Sequence, residues 1–417
     1  MNIKRVVVTG LGALTPIGNN VESYWKGLLQ GVSGAAPITR FDAAKYKTRF
    51  ACELKDYRAE DHFERKEINK MDPCSQYALV VCGEALDGAR LDLAREDLDR
   101  VGVVWGTGIG GLESLSDTII DFANDRENPR VSPFFIPKMI ADMPAGNISI
   151  KYGLRGPNFA TVSACASASN ALIDATQLIQ LGHADVVIAG GSEATITEIG
   201  ISGFSAMRAL SERNEDPQTA SRPFDKDRDG FVMGEGAGAL ILESYEHAQA
   251  RDAKIYAELI GVGMSADAYH ITAPHPEGTG AAAVMANTLR NARIVPKDID
   301  YINVHGTSTP LGDLSEVKAI QRIFGAHAYQ LNISATKSMT GHLLGASGAV
   351  ESIAAILALQ HQVIPPTINH FTDDEALDSG MNFTFNRAQP RAVNIALSNT
   401  FGFGGHNTSI AYKKWEG

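Results

Sequence analysis

The segment Val162-Ser163-Ala164-Cys165-Ala166-Ser167-Ala168-Ser169-Asn170 connects a short strand-like stretch to a helix-patterned run at residues 171–179. Cys165 therefore stands at the start of a predicted helix, where free backbone N–H groups and the helix dipole favour a thiolate. Small neighbours on both sides leave room for a substrate to approach the thiol. A free Cys among Ala and Ser is most often a small buried apolar residue, so a catalytic interpretation depends on the rest of the chain.

Outward from this junction, short β-rich apolar runs alternate with longer helical patterns. The predicted strands cover residues 5–9, 101–105, 185–189, 238–243, 255–262, 301–304, 331–334 and 394–398. The predicted helices cover residues 75–89, 166–181, 280–291, 313–324 and 348–359. This alternation predicts an α/β fold in which sheets are buried between helices.

Two stretches of the chain are alike and suggest an internal duplication. Residues 184–191 and 300–306 both have the pattern of a strand followed by a Gly loop, at comparable places in two halves. The seam would fall near residues 243–255, where charged residues interrupt the pattern. Because no Pro/Ser-rich linker separates the halves, we expect them to pack as one body.

The composition excludes several classes of protein. The chain has 417 residues, of which 44% are hydrophobic and 20% charged, and its net charge is -11. That charge argues against a general nucleic-acid binder, although a local basic patch remains compatible with it. The four Cys show no metal-ligand spacing and are read as free thiols in a reducing compartment. Neither a signal peptide nor an apolar run of about 18 residues is found, so we expect a cytoplasmic protein without membrane contact.

Two motifs point to functions that their surroundings disfavour. Gly106-Thr107-Gly108-Ile109-Gly110-Gly111 matches a dinucleotide-binding fingerprint, but the strand that should end in a ribose-binding acid about 20 residues later is missing. Asp225-Lys226-Asp227-Arg228-Asp229-Gly230 resembles the opening of a calcium loop. Its twelfth position is Gly236 rather than the required Glu. We expect a tight turn in the first case and a charged surface turn in the second.

Two histidines lie beside glycines in segments that are far from Cys165 in the sequence. His305 directly follows a predicted strand, and His342 precedes a predicted helix, with a Gly next to each ring. The chain then ends in a Gly-rich loop with aromatic residues, residues 398–407. Each His alone is more often structural, but the three Gly-flanked segments together predict a shared site with Cys165.

These residues closely resemble the β-ketoacyl-acyl-carrier-protein synthases of fatty acid and polyketide synthesis, and most closely their elongating branch, synthase II. The resemblance covers essentially the whole chain. It is carried by residues 8–12, the Cys165 segment, Gly190-Gly191-Ser192-Glu193-Ala194, Arg222-Pro223-Phe224-Asp225, His305-Gly306-Thr307-Ser308-Thr309, Lys337-Ser338-Met339-Thr340-Gly341-His342 and Phe401-Gly402-Phe403-Gly404-Gly405. It implies an α/β, thiolase-like fold with two pseudo-duplicated halves and a five-layered α-β-α-β-α core. Residues 1–250 would carry the nucleophile, and residues 251–417 the two His and a gating loop.

The chemistry of such a site can be assigned to particular residues. Cys165 would accept an acyl group as a thioester. His305 and His342, as neutral imidazoles, would donate Nε2–H groups to the enolate that forms when a malonyl thioester loses carbon dioxide. The N–H groups of Cys165 and, by resemblance, Phe403 would bind the oxyanion when the carbanion attacks the acyl-cysteine.

The resemblance implies roles for further residues. Lys337 would organise the site electrostatically, supported by Glu351, and Phe403 would gate the two half-reactions. The residues implied in substrate binding are Thr307 and Thr309 on the pantetheine arm, Ile109 at the acyl pocket, Phe401, Phe204 and His270. No metal and no free cofactor are expected, since 4'-phosphopantetheine arrives on the carrier protein. The expected partners are acyl carrier protein, docked at Lys66, Lys70 and Arg208, and a second copy of the chain in a homodimer; no nucleic acid or membrane partner is expected.

Other functions fit less well. A thiolase would carry a second catalytic Cys, but no Cys follows Cys165. An initiating synthase would use a Cys-His-Asn set, and a non-catalytic polyketide subunit would lack the thiol. A polyketide or specialised-lipid ketosynthase is the main alternative to a fatty acid enzyme. Three places depart from the usual family pattern, namely Asn69, residues 167–170 and His406.

Overall fold

The computed structural model describes residues 3–128 and 130–416. The strands β1 to β7 of the first half are Val6–Leu14, Ala36–Pro37, Phe50–Ala51, Val101–Gly106, Asn158–Thr161, Val186–Glu193 and Gly236–Ser244. The strands β8 to β14 of the second half are Ala257–Ala266, Tyr301–Asn303, Asn332–Ser334, Val363–Ile364, Gln389–Pro390, Ile395–Gly402 and His406–Lys414. The helices α1 to α13 are Val21–Gln30, Arg65–Ile68, Pro73–Ala89, Leu112–Asn124, Phe135–Met139, Met143–Tyr152, Ser167–Gln180, Glu198–Ala206, Tyr245–Ala250, Thr279–Ala292, Pro310–Phe324, Lys337–Thr340 and Ser347–His361.

The main sheet repeats one strand pattern twice. Its order is β10-β9-β13-β14-β8-β1-β7-β6-β4-β5. From the centre outward, β1, β7, β6, β4 and β5 are joined by two antiparallel and then two parallel pairings. The strands β8, β14, β13, β9 and β10 follow the same sequence of pairings. The two groups are connected where residues 6–8 of β1 pair with residues 257–259 of β8.

Three layers of helices pack on these two groups of strands. Helices α3 and α6 cover the outer face of the first group, and α10 with α11 covers the second. Helices α7 and α13 lie between the groups, in contact with each other and with strands of both. The arrangement is therefore five-layered, α-β-α-β-α, and the predicted fold class is confirmed.

The two central helices determine where Cys165 and His342 lie in the fold. Residues of α13 are buried from Ser347 to Leu359, as expected for a helix that is mostly apolar all round and so belongs in a core. Helix α7 begins just after Cys165, and α13 begins just after His342. The middle layer thus brings the start of one helix from each half to the centre of the molecule.

The predicted elements are all present, with different ends. The predicted strand at residues 394–398 extends to Gly402, and the strand β14 that follows it was missed. Helices α1 and α6 were missed as well. Among the described helices, none combines the length and the apolar composition that crossing a bilayer requires.

Candidate active site

Cys165 lies in a tight turn between β5 and α7. Ala164 has a φ of 51°, a left-handed conformation that residues with side chains rarely adopt. Ser167 closes the turn, because its hydroxyl donates to the carbonyl of Ala164 at 2.7 Å and accepts the N–H of Ser163 at 2.9 Å. The turn presents the buried thiol at the N-terminal end of α7, where the sequence predicts it.

His305 and His342 reach Cys165 from the second half of the chain. Nε2 of His342 lies 3.0 Å from Sγ of Cys165. The rings of His305 and His342 meet edge to face, with centroids 5.3 Å apart. One nitrogen of each ring and the thiol sulfur lie within 4.8 Å of one another. The structure therefore brings the three predicted residues into one site.

The surroundings of His342 fix its tautomer. Its Nδ1 accepts the backbone N–H of Leu344 at 3.3 Å and lies 2.9 Å from the hydroxyl of Ser347. A neutral imidazole that accepts at Nδ1 carries its proton on Nε2. The nitrogen that faces Cys165 is thus a hydrogen-bond donor. Because a metal ligand must be deprotonated, this arrangement fits anion stabilisation better than a metal site.

A buried ion pair lies beside the two imidazoles. Lys337 on α12 donates to Glu351 on α13, and both side chains are 2% exposed. Burial, together with the positive charge of Lys337, holds the pKa of His305 and of His342 well below the usual value. Both rings are therefore neutral at neutral pH, the form that the sequence-based mechanism requires.

The expectation of a thiol with a lowered pKa is wrong for the free protein. Burial raises the pKa of Cys165 to about 11, and the charge of Lys337 and the N–H of Phe403 only partly oppose this effect. The helix N-terminus favours the thiolate, but desolvation of the buried sulfur outweighs it. At rest, Cys165 is a thiol.

A cavity of about 390 Å³ leads to the three residues. Of the predicted site residues, it is lined by Cys165, His305, His342, Thr307, Thr309, Phe204, Phe401, Phe403 and Arg208. The hydroxyls of Thr307 and Thr309 lie 2.9 Å apart. The lining area is mostly apolar, which suits an acyl chain and the carbon skeleton of pantetheine.

The Gly-rich loop after β13 lies directly over the thiol. A Cβ on Gly402 would lie 2.7 Å from the carbonyl of Ser163 and 3.2 Å from the N–H nitrogen of Cys165. The next residue, Phe403, directs its N–H at the thiol and packs its ring near Phe204, with centroids 6.4 Å apart. The N–H groups of Phe403 and Cys165 both act on the sulfur, so two backbone donors converge where an oxyanion would form.

Other predicted residues lie outside the cavity lining. Ile109 is 40% exposed, and its N–H donates to Glu193. His270 is exposed on the loop beside the cavity, where its Nδ1 accepts the N–H groups of Thr272 and Ala273. Lys66 and Lys70 are exposed near α2, away from the cavity lining.

The two disfavoured motifs have structural explanations. The loop of residues 106–111 brings its N–H groups to the buried carboxylate of Glu193, so a protein carboxylate takes the donors that a phosphate would need. Asp225 accepts the N–H groups of Phe371, Thr372 and Asp227, which leaves it no calcium-ligating role. The expected surface turn is partly wrong, because Asp225 and Arg228 are buried.

Sequence reasoning missed several residues of the site. Phe231 packs edge to face on His342, and Leu344 supplies the N–H that sets its tautomer. Glu193 appeared only within a family motif. A signal for Glu193 was present in Gly108 and Gly345, because two glycines let two backbones approach one carboxylate.

Two family models match the chain. The model for the beta-ketoacyl synthase N-terminal domain matches residues 3–248, and the model for the C-terminal domain matches residues 256–371.

Curated relatives match nearly the whole chain. A protein of Synechocystis sp. named 3-oxoacyl-acyl-carrier-protein synthase 2 is 50% identical over 415 residues, covering 99% of both chains. A protein of Staphylococcus aureus strain COL with the same name is 50% identical over 413 residues, again covering 99% of both.

Solved structures show the same fold. A beta-ketoacyl synthase from Burkholderia phymatum is 34% identical with a TM-score of 0.91, covering 99% of this chain and 100% of that one. A polyketide ketosynthase solved with its acyl-carrier protein is 32% identical with a TM-score of 0.90 and the same coverage.

Proposed function

The chain belongs to the beta-ketoacyl synthase family, and we propose that Cys165, His305 and His342 carry out the family's decarboxylative Claisen condensation. The enzyme is an acyltransferase that joins an acyl group to malonyl-acyl-carrier protein and gives 3-oxoacyl-acyl-carrier protein, the elongating step of type II fatty acid biosynthesis. The main evidence for the residue assignment is a distance: the thiol sulfur and one nitrogen of each neutral imidazole lie within 4.8 Å of one another.

In the first half-reaction, the sulfur of Cys165 attacks the thioester of the incoming acyl chain. A bond forms between Sγ and the acyl carbon, the bond to the pantetheine sulfur breaks, and the thiol proton leaves on the released pantetheine. The N–H groups of Cys165 and Phe403 stabilise the tetrahedral oxyanion. Phe403 then moves with its Gly-rich loop to admit the second substrate.

In the second half-reaction, malonyl-acyl-carrier protein loses carbon dioxide. The electron pair of the broken carbon–carbon bond forms an enolate, whose oxygen accepts the Nε2–H groups of His305 and His342. Because both rings are neutral, they stabilise the anion without readily protonating its carbon. That carbon attacks the acyl group, a carbon–carbon bond forms as the bond from the acyl carbon to Sγ breaks, and the Cys165 sulfur leaves as a thiolate that takes up a proton from water.

The same site would hold the rest of the substrate. Thr307 and Thr309 are proposed to hydrogen-bond the pantetheine arm that arrives on the carrier, and no separate cofactor is proposed. Lys337 and Glu351 would set the electrostatics of the imidazoles. The residues proposed to contact or gate the acyl chain are Ile109, Phe204, His270 and Phe401.

The fatty acid assignment is favoured over a polyketide pathway by identity. The relatives named 3-oxoacyl-acyl-carrier-protein synthase 2 are 50% identical to this chain, whereas the polyketide ketosynthase is 32% identical. A polyketide or specialised-lipid enzyme would share the nucleophile and the imidazoles, so turnover with acyl-carrier substrates of graded length distinguishes the two.

The proposed macromolecular partner is acyl carrier protein. Arg208 lines the mouth of the cavity, and Lys66 and Lys70 are exposed elsewhere on the same half. Lys70 also stacks over the ring of Phe134 at 5.6 Å. An acidic carrier needs such local cations, because the net charge of this chain is -11.

We further propose that the enzyme acts in the cytoplasm, where its four free Cys would stay reduced.

A homodimer is proposed from an exposed sheet edge. Strand β5 is the last strand of the main sheet. Phe159 within it is 38% exposed, and Val162 directly after it is 60% exposed. An exposed apolar edge favours pairing with another chain.

We also propose a division of the chain into two halves at residue 250, supported by the repeated strand order.

Intact-mass analysis tests the assignment. The wild type is incubated with acyl-carrier substrates of graded chain length, and malonyl-carrier protein is then added. We expect one acyl adduct on Cys165 that disappears as 3-oxoacyl product forms. An adduct on another residue, or none with any substrate, would contradict the proposal.

A further inference from the structure

A buried carboxylate outside the described mechanism lies close to the site. Glu193, the last residue of β6, is 0% exposed. Its carboxylate accepts the hydroxyl of Thr107 at 3.1 Å and the N–H groups of Gly108 at 2.8 Å, Ile109 at 3.2 Å and Gly345 at 2.9 Å. Within the described residues it has no ion-pair partner, so these four donors alone offset the cost of burying its charge.

The donors come from two loops that touch only because both are glycine-rich. A Cβ on Gly345 would lie 2.1 Å from the nitrogen of Gly108 and 2.6 Å from Oε2 of Glu193. A Cβ on Gly108 would lie 2.8 Å from the same carboxylate oxygen. The carboxylate therefore fastens the turn after His342 to the loop after β4.

This turn also controls the orientation of His342. Leu344 precedes Gly345 and donates its N–H to Nδ1 of His342. Leu344 has a φ of 46°, a left-handed conformation that is unfavourable for a non-Gly residue unless its surroundings hold it. The hydrogen bond from Gly345 to Glu193 holds the adjacent peptide, and with it the N–H of Leu344, which acts with the hydroxyl of Ser347 to keep the proton of His342 on Nε2.

We propose that Glu193 is a positioning residue for His342: by accepting the N–H of Gly345 it holds the turn that sets the tautomer and direction of the imidazole. Glu193 acts through an oxygen that accepts hydrogen bonds at the correct distance from the backbone, and not through its negative charge. The inference rests on the proposed function, since His342 is assigned there to decarboxylation.

Two substitutions of Glu193 distinguish the effect of its side-chain length from the effect of its charge. Glu193→Asp keeps the charge but withdraws the carboxylate by one methylene, so we expect the kcat of malonyl-carrier decarboxylation to fall about 10- to 100-fold. The KM for malonyl-carrier protein and the rate of Cys165 acylation should stay within about threefold, because the variant leaves the proposed pantetheine contacts and the backbone oxyanion donors in place. Glu193→Gln keeps the length, and its amide oxygen can accept from Gly108 and Gly345, so most of the kcat should be retained.

Burial raises the pKa of Glu193 to about 7, so the assays are run at pH 8, where the wild-type carboxylate is ionised. The matched control is Glu84→Asp. Glu84 accepts the N–H groups of Ala13 and Val21 at 2.8 and 2.7 Å on the outer helix α3, so its shortening should lower the thermal midpoint and leave decarboxylation within about twofold.

A readout without substrate separates this inference from the proposed function. In spectra of protein labelled with ¹⁵N-histidine, the His342 signals, identified by their absence in His342→Ala, should show the Nε2–H tautomer in the wild type and in Glu193→Gln. Glu193→Asp should show a mixture. An unchanged tautomer in Glu193→Asp would overturn the proposal. An equal loss of kcat in Glu193→Asp and Glu193→Gln would also overturn it, as would a loss of kcat in Glu84→Asp as large as that in Glu193→Asp.

Discussion

His342 donates Nε2–H towards Sγ of Cys165 across 3.0 Å. The two residues lie in the segments that lead into the two central helices, one from each half of the duplicated fold. Because Nδ1 of His342 is occupied by the N–H of Leu344, this ring is a donor and not a base towards the thiol. The contact thus distinguishes this site from one in which a histidine removes the proton from its nucleophile.

Replacing Cys165, the proposed nucleophile, should separate the two half-reactions. In Cys165→Ala, acyl transfer should be lost, whereas decarboxylation of malonyl-carrier protein should persist because both imidazoles remain. Carbon dioxide release and intact mass measure the two activities. Cys82→Ala, at a buried Cys of helix α3, is the control and should retain both. Acylation of the Cys165→Ala protein would contradict the assignment.

Replacing either imidazole should have the opposite effect. His305→Ala and His342→Ala each remove one proposed donor to the enolate, so decarboxylation should fall about 100-fold or more. Formation of acyl-Cys165 should fall much less, because the proposed donors to its oxyanion are backbone N–H groups. Single-turnover assays resolve the two steps. The exposed His183 provides the control His183→Ala, and acylation falling further than decarboxylation would exclude these roles.

The thiol should react slowly at neutral pH. Burial raises the pKa of Cys165 to about 11, whereas an unperturbed Cys has a pKa of about 8.5. Since only the thiolate is alkylated, the rate with iodoacetamide should keep rising from pH 7 to pH 10 without levelling off. The rate is followed by the mass of the peptide that contains Cys165. A plateau below pH 9 would show that the thiol has a lower pKa.

The buried lysine should protect the imidazoles from protonation. The charge of Lys337 lowers the pKa of His305 and His342, so Lys337→Met should raise both pKa values. A protonated ring would then appear at higher pH, and the acid side of the decarboxylation profile should shift upward. An unchanged profile in the variant would show that Lys337 has no such effect.

The double variant Lys337→Met/Glu351→Gln separates this electrostatic effect from folding. Breaking a buried ion pair on one side costs about 3–5 kcal/mol, because it leaves an uncompensated charge. Removing both charges should therefore restore part of the stability lost in Lys337→Met, as measured by urea unfolding. The shifted pH profile should remain in the double variant.

The sequence alone was sufficient for the fold class and for the three central residues. Apolar periodicity predicts helices α7 and α13, Cys165 stands in a segment of small residues before α7, and His305 and His342 each stand next to a glycine. The pKa of Cys165 was mispredicted because local position favours the thiolate, whereas its desolvation depends on segments far away in the chain. Glu193 was overlooked for a similar reason, since its four donors come from residues 107–109 and 345.

The loop that covers the thiol should not tolerate a side chain at Gly402. A Cβ there would lie 2.7 Å from the carbonyl oxygen of Ser163. Because this oxygen belongs to the backbone, it cannot move aside as the end of a flexible side chain could. Gly402→Ala should therefore move the loop away from the turn and withdraw the N–H of Phe403 from the sulfur. Losing one oxyanion donor should slow acyl-Cys165 formation about 100-fold, measured by rapid-quench mass analysis. Gly146→Ala is the matched control: in helix α6 its Cβ would meet only Met143, at 3.9 Å, so acylation should be unchanged, and equal acylation rates in the two variants would rule out Phe403 as a donor.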